Sequence, residues 1–316
     1  TTLFRSGVAW RSSTTRRQKL DLHSLMSKIR AFAELTRPAN VVTALSDIMA
    51  GLAIVGFVFG RLDYQFYPAL FLGLSSMCLY AGGVVFNDVF DQTLDSIERP
   101  ERALPSGRIK RSEAIIGGIL LLALGIFLAF WQSRLSGIVA ILITFLALFY
   151  DWKGKHMRYF GPINMGLCRA FNLLLGMSVY ELGVLEQFPV IAIPLIYIAA
   201  ITLVSRGEVH GGKATTLYFA AFLFLLVHVS QLYFAERVEF ALAFVLAHFI
   251  LIFRKLGVAI KNPVGKNIGL TVKTGVLTLI LMNAAWVASS GQWIMALFVL
   301  ALLPVSLGLA KKFAVT

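Results

Sequence analysis

Apolar runs long enough to cross a bilayer recur along the chain, separated by short polar stretches. Ten are read, at about 41–60, 66–86, 114–132, 136–150, 163–180, 188–204, 215–234, 238–253, 274–290 and 293–310. They are apolar all round and do not alternate, which predicts helices, not barrel strands. The runs at 136–150, 238–253 and 274–290 are short, so these helices are expected to lean on protein neighbours. Residues 21–36 predict an amphipathic helix on the membrane surface, with Leu22, Leu25, Met26 and Ile29 towards lipid. The expected organisation is a basic, partly amphipathic segment over 1–38 and one transmembrane helical domain over 39–311.

Composition agrees. Of 316 residues, 58% are hydrophobic and only 14% are charged, too apolar for a soluble protein of this size. Cys78 and Cys168 both lie in apolar runs and read as small packing residues, not as a disulfide frame or a metal set. The net charge of +13 raises the question of nucleic acid. The distribution of the charge answers it. With the N-terminus on the cytoplasmic side, inner loops and tails hold 25 of the 29 Lys and Arg. The outer loops hold only Arg61, Arg134 and Arg237, together with five acids. This is the positive-inside pattern of membrane topology, and it excludes a nucleic-acid partner. Lys311 and Lys312 then fall inside too, which favours an even helix count. The first twenty residues are rich in Arg, Ser and Thr and hold no acid, the composition of a transit remnant or of a basic cytosolic tail. The chain is expected to be integral to a bacterial inner membrane or an organelle membrane.

Three inner loops, 87–112, 151–162 and 205–213, would share one face of the membrane. In the first, Asn87-Asp-Val-Phe-Asp-Gln-Thr-Leu-Asp95, the carboxylates of Asp88, Asp91 and Asp95 fall within about 60° on a helix, with Asn87 beside them. Such an oxygen-rich ridge suits a hard divalent cation such as Mg²⁺, which binds one or two carboxylates plus substrate phosphate oxygens. The ridge is no EF-hand, because the glycine and terminal glutamate are missing at the required spacing. Basic groups stand nearby: Arg99, Arg102 and Arg108 in ERPERALPSGR, and Lys153, Lys155 and Arg158 in YDWKGKHMR. Carboxylates for a metal and cations for phosphate describe a diphosphate site. For Arg108, Lys110 and Arg111 a plain topology role is the simpler reading.

NDxxDxxxD after a second transmembrane run, followed by RPxRxLPSGR, resembles the UbiA superfamily of intramembrane aromatic prenyltransferases. TRPAN at Thr36–Asn40 and the tyrosine-lysine loop YDWKGK agree with it. GGVVFNDVFDQTLDSIERPERALPSG, GPINMGLCRAFNLLLGMS and SRGEVHGG look more narrowly like its EboC-type branch. The resemblance implies an all-α polytopic bundle of nine transmembrane helices around a central cavity, with a cytosolic cap and a lateral opening for lipid. Ten runs therefore mean either an added C-terminal helix or over-splitting of 238–290. It implies Mg²⁺ ligation by Asn87, Asp88, Asp91 and Asp95, and diphosphate contacts from Arg102, Lys153 and Lys155. The family's second aspartate motif is reduced here to SRGEVHGGKA. Glu208 stands at its first acidic position, His210 follows two residues on, and Gly212 replaces the second acid.

The implied activity transfers a prenyl group from an allylic prenyl diphosphate to an aromatic or other small acceptor. Mg²⁺ and basic side chains would offset charge on the leaving group. An aromatic face, Tyr150 or Tyr80, would steady the carbocation, although both could be ordinary interfacial tyrosines. Asp91 and Tyr150 are the expected catalytic residues. Polar groups inside the membrane mark the acceptor end: Asp47, Arg169 and Asn172, with His210 nearer the surface. Arg169 could hold an acidic acceptor or the diphosphate; alternatively, Asp47 and Arg169 could neutralise each other as a structural pair. His228, Gln231, His248 and Asn283 are expected to make helix–helix hydrogen bonds. A non-catalytic lipid or metabolite carrier and a prenyl-chain cyclase are the other functions compatible with these features.

Overall fold

A computed structural model describes residues 26–57, 67–208 and 211–313. His210, Leu22 and Leu25 lie outside the described residues, as do Arg61 and Asp63. Helix α1 covers 26–35 and is followed by α2 (Pro38–Ile54), α3 (Tyr67–Glu98), α4 (Arg111–Gln132), α5 (Arg134–Trp152) and α6 (Phe160–Met177). The short α7 (Glu181–Gln187) leads into α8 (Ala192–Ser205), and α9 (Ala214–Phe234), α10 (Val238–Lys261), α11 (Gly265–Ser289) and α12 (Trp293–Lys312) complete the chain. Each of the ten apolar runs falls on a helix of its own, so 238–290 is not over-split and α12 is a tenth long helix. Among the described residues, eight helical spans are long and apolar enough to cross a membrane. α2 has 17 residues, and α6 is diluted by Asn164, Arg169 and Asn172. The protein is an integral membrane protein.

Helix ends follow local chemistry. Pro38 opens α2, where its missing N–H costs nothing. The Glu113 carboxylate accepts from Lys110 N at the start of α4, and Ser133 Oγ accepts from Ser136 N at the start of α5. α3 runs for 32 residues, far beyond the roughly 20 a bilayer needs. Its last three turns carry the aspartate ridge. They are braced by the 99–110 turn, whose Ala103, Leu104 and Ile109 pack with Val85 and Val89 of α3, Ala114 of α4, and Ala31 and Leu35 of α1. α1 therefore uses one face as part of this cap, while Met26 and Ile29 stay exposed on the outside.

Between lipid-solvated helices the drive to associate is packing and hydrogen bonding, not water exclusion. α2 and α6 touch backbone to backbone. A Cβ added to Gly51 would stand 2.4 Å from the Leu173 carbonyl oxygen, and one added to Gly176 would stand 2.6 Å from that of Ile48. Gly51→Val is therefore expected to cost at least the roughly 1–3 kcal/mol typical of overpacking. A thermal melt in detergent checks it against Gly257→Ala, where a Cβ meets nothing within 4 Å and no loss is expected. Interhelical hydrogen bonds supply the second component. Gln231 Nε2 donates to the Met282 carbonyl at 2.7 Å, Asn283 Nδ2 to Asp47 at 2.7 Å, and the Tyr197 hydroxyl meets His248 Nε2 at 2.9 Å. His228 differs from expectation, since its Nδ1 contacts the Phe224 carbonyl one turn back on its own helix. α12 packs across α2 and α11, and Ser306 Oγ donates to the Ala39 carbonyl.

Candidate active site

α2, α3, α5, α6, α8 and α11 enclose a cavity of about 470 Å³. Its mouth lies among the ends of α3 and α8 and the start of α2, with Arg37, Asp95, Glu98, Arg99, Arg102 and Glu208 in the wall. Further in, the wall is mainly aliphatic, from Leu79, Val84, Ile143, Ile198, Val276 and others, with the rings of Tyr80 and Tyr150. At the inner end stand Arg169 and Asn172. One end of the cavity is thus charged, its middle is apolar, and its floor is polar.

The helical period predicted one ridge, and the structure divides it. Asn87, Asp91 and Asp95 face the cavity. Asp88 turns behind them, where Arg37 Nη2 donates to it at 2.7 Å and Arg102 Nη1 approaches at 3.4 Å. Arg102 also donates to Asp95 at 2.8 Å. Lys155 donates to Asp91. Arg102 and Lys155, expected on the diphosphate, here hold the carboxylates themselves. Lys153 is not in the cavity wall, and its ammonium lies over the Trp152 ring, 5.1 Å from the centroid. Among the described residues, no three Asp, Glu, His or Cys side chains gather closely enough to hold one ion.

Glu208 does reach the cavity from the third loop. Its Oε1 is buried and has no hydrogen-bond partner, and burial pushes its carboxyl up from the usual range while Arg99 draws it partly back. An unpartnered carboxylate oxygen, facing the amide and carboxylate oxygens of Asn87, Asp91 and Asp95 across one cavity, is hard-oxygen donor chemistry. These residues fit Mg²⁺ in type, with Lys155 and Arg102 as the cations an incoming ion would displace.

Two wall residues, Asp151 and Arg37, escape sequence reasoning, while a third, Arg99, stands where the basic loop placed it. Asp151 accepts from Asn87 Nδ2 at 2.8 Å and fixes that amide's orientation. The only signal for it was an acid inside a basic loop, next to Tyr150. Arg37 precedes Pro38 in a left-handed conformation (φ 46°) that aims it at Asp88. Arg99 is placed by the turn in which Arg99 N donates to the Asp95 carbonyl.

The deep polar residues form one network. Arg169 Nε lies 2.6 Å from Asp47 Oδ2, Asn172 and Asn283 donate to Asp47 at 2.8 and 2.7 Å, and Ser76 donates to Asn172 Oδ1 at 2.7 Å. Asp47 is 1% exposed and stands behind Arg169, outside the cavity wall. The structure thus forms the Asp47–Arg169 pair and still places Arg169 and Asn172 on the cavity.

These features define a polytopic membrane protein with an internal cavity that is charged at its mouth and greasy within. The chain belongs to the UbiA prenyltransferase family, whose model matches residues 48–315. Among curated relatives, it is 31% identical over 145 residues to the digeranylgeranylglyceryl phosphate synthase of Methanothermobacter thermautotrophicus, covering 46% of this chain and 49% of that protein. Its match to the same-named protein of Methanosarcina mazei is 31% over 186 residues, covering 56% and 63%. The chain thus spans about half the length of the curated relatives it matches. Two solved structures share the fold. A UbiA homolog from Aeropyrum pernix K1 superposes with TM-score 0.64 at 14% identity, covering 78% of this chain and 96% of that one. A UbiA homolog from Archaeoglobus fulgidus bound to GPP and Mg²⁺ gives 0.59 at 18%, covering 79% and 99%.

Proposed function

We propose that this chain is an intramembrane prenyltransferase that uses Mg²⁺ and a prenyl diphosphate, with the cavity mouth on the cytoplasmic side. The observation that carries the reading is the cavity itself: acids and arginines at one end, an aliphatic wall behind them. A prenyl diphosphate has the same polarity along its length. Family membership and the relatives' prenyl-transfer names support it, and the positive-inside charge pattern supports the orientation. The EboC-type placement rests on three stretches of sequence, while the matched relatives carry another name; the UbiA prenyltransferase family is common ground between them.

Asn87, Asp91, Asp95 and Glu208 would hold the metal, which when bound supplies positive charge to the diphosphate oxygens. Arg102 and Arg99 bind and orient the leaving group from the mouth, and Lys155, outside the wall but held on Asp91, is the further cation beside it. Asp88 anchors Arg37 and Arg102, so its role is to position cations. Tyr150 presents its ring to the reacting carbon, and the aliphatic wall keeps water away from it.

The carrier reading draws on the ion pairs that already neutralise Asp88, Asp91 and Asp95 without a metal. One assay separates the two. Protein in nanodiscs is incubated with geranyl, farnesyl and geranylgeranyl diphosphates and Mg²⁺, and diphosphate release is followed. Wild type is expected to release diphosphate only with Mg²⁺, and Asp91→Ala to lose at least about a hundredfold in rate, the scale of a lost transition-state electrostatic contact. Binding of all three without release in wild type would leave the carrier reading standing and end the enzyme one.

A further inference from the structure

At the floor of the cavity, Arg169 and Asn172 are tied into the network around Asp47. Arg169 offers few of its donors to the floor: Nη2 is committed to the Thr43 carbonyl at 2.7 Å, and Nε lies against Asp47 at 2.6 Å. Nη1 remains for the cavity. Asp47 is in turn saturated, with Asn172 on Oδ2 and Asn283 on Oδ1. The guanidinium is therefore a donor whose charge is already balanced inside the protein.

We propose that the cavity floor is an acceptor subsite for an uncharged oxygen-bearing group, a hydroxyl or carbonyl, held by Arg169 and Asn172. This rests on the prenyl-transfer reading of the same cavity. A phosphate or carboxylate placed here would share Arg169 with Asp47 and leave one net negative charge deep in a low-dielectric interior. The desolvation of that second anion has no cation to offset it. A neutral oxygen accepts a charge-assisted hydrogen bond from Nη1 and adds no charge. Tyr80, about two turns of α3 from Asn87, lines the same cavity as Arg169 and Asn172. A cation better placed to meet an anion is at the mouth: Arg99, which feels Glu208 but forms no salt bridge among the described residues. Charge thus sorts the two substrates to opposite ends.

The test measures binding directly, without prenyl diphosphate, so that it does not depend on turnover. Isothermal titration in nanodiscs compares 4-hydroxybenzyl alcohol with 4-hydroxybenzoate, and a monoprenyl glycerol ether with its phosphate. Each pair differs by one charged group. The neutral member is expected to bind at least tenfold tighter. Asp47→Asn frees the guanidinium and is expected to reverse the order. The double change Asp47→Asn with Arg169→Gln keeps a neutral, hydrogen-bonded floor, so it is expected to keep the wild-type order even if the single variant folds poorly. Equal binding within both pairs, tighter binding of the anions, or no binding of any of the four would overturn the proposal. Diphosphate release in the preceding assay, with the neutral preference absent here, would leave prenyl transfer intact and remove only the subsite.

Discussion

Arg169→Ala is expected to remove about 3–5 kcal/mol of stability, the cost of leaving one member of a buried ion pair without its partner. In detergent this should appear as a large fall in melting temperature or as loss of monodisperse protein. The reason lies in the connectivity. Asp47 receives Arg169, Asn172 and Asn283 from two other helices, α6 and α11, so it joins three helices at one point. Without the guanidinium, the two amides must hold an uncompensated carboxylate in a site that is 1% exposed. Asp47→Leu combined with Arg169→Met removes both charges and keeps apolar volume, so most of the stability should return, as buried pairs replaced by well-packed apolar residues commonly allow. If the single variant melts like wild type, the pair does not bear on folding. If the double variant is as damaged as the single one, the amide network rather than the charge balance holds the three helices.

The fold was legible because its determinants are local. Long apolar runs, the polar breaks between them and the inside bias of Lys and Arg need no tertiary information, and all ten runs became helices. Helix ends were less so: α3 continues through Asp95 to Glu98, since a helix leaving the bilayer keeps its backbone bonds and can be polar all round when a cap packs on it. At the site, the 100° period grouped Asp88 with Asp91 and Asp95, with Asn87 beside them, and could not show that Asp88 would turn away to Arg37, fifty-one residues away. That pairing depends on the left-handed backbone at Arg37 and on how α2 meets α3. Lys153 and Lys155 were equivalent as sequence. The short 3-10 turn at Gly154–His156 separates them, sending one to Trp152 and the other to Asp91. Intramembrane Asp47 and Arg169 were visible as expensive residues, but the sequence left open whether they serve each other or the cavity. The geometry makes Asp47 the support and Arg169 the surface.

Lys155→Met should split two quantities that usually move together. In the present arrangement Lys155 neutralises Asp91, a residue that also faces the cavity. An ion binding at Asp91 competes with that ammonium. Removing it leaves the carboxylate without its cation, so Mg²⁺ is expected to bind about tenfold tighter, consistent with the 1.5–3 kcal/mol of a hydrogen bond to a charged group. The same substitution takes a donor away from the leaving diphosphate, and turnover is expected to fall by about a hundredfold or more. The Mg²⁺ concentration giving half-maximal thermal stabilisation, measured without substrate, reports the first effect, and diphosphate release at saturating Mg²⁺ reports the second. Tighter Mg²⁺ with slower release is the signature of a lysine that guards the acid in the empty site and moves to phosphate in the filled one. Weaker Mg²⁺ binding in Lys155→Met would mean that the lysine shapes the ridge rather than competing for it. Unchanged release would remove Lys155 from the diphosphate end and leave Arg99 and Arg102 to bind the leaving group.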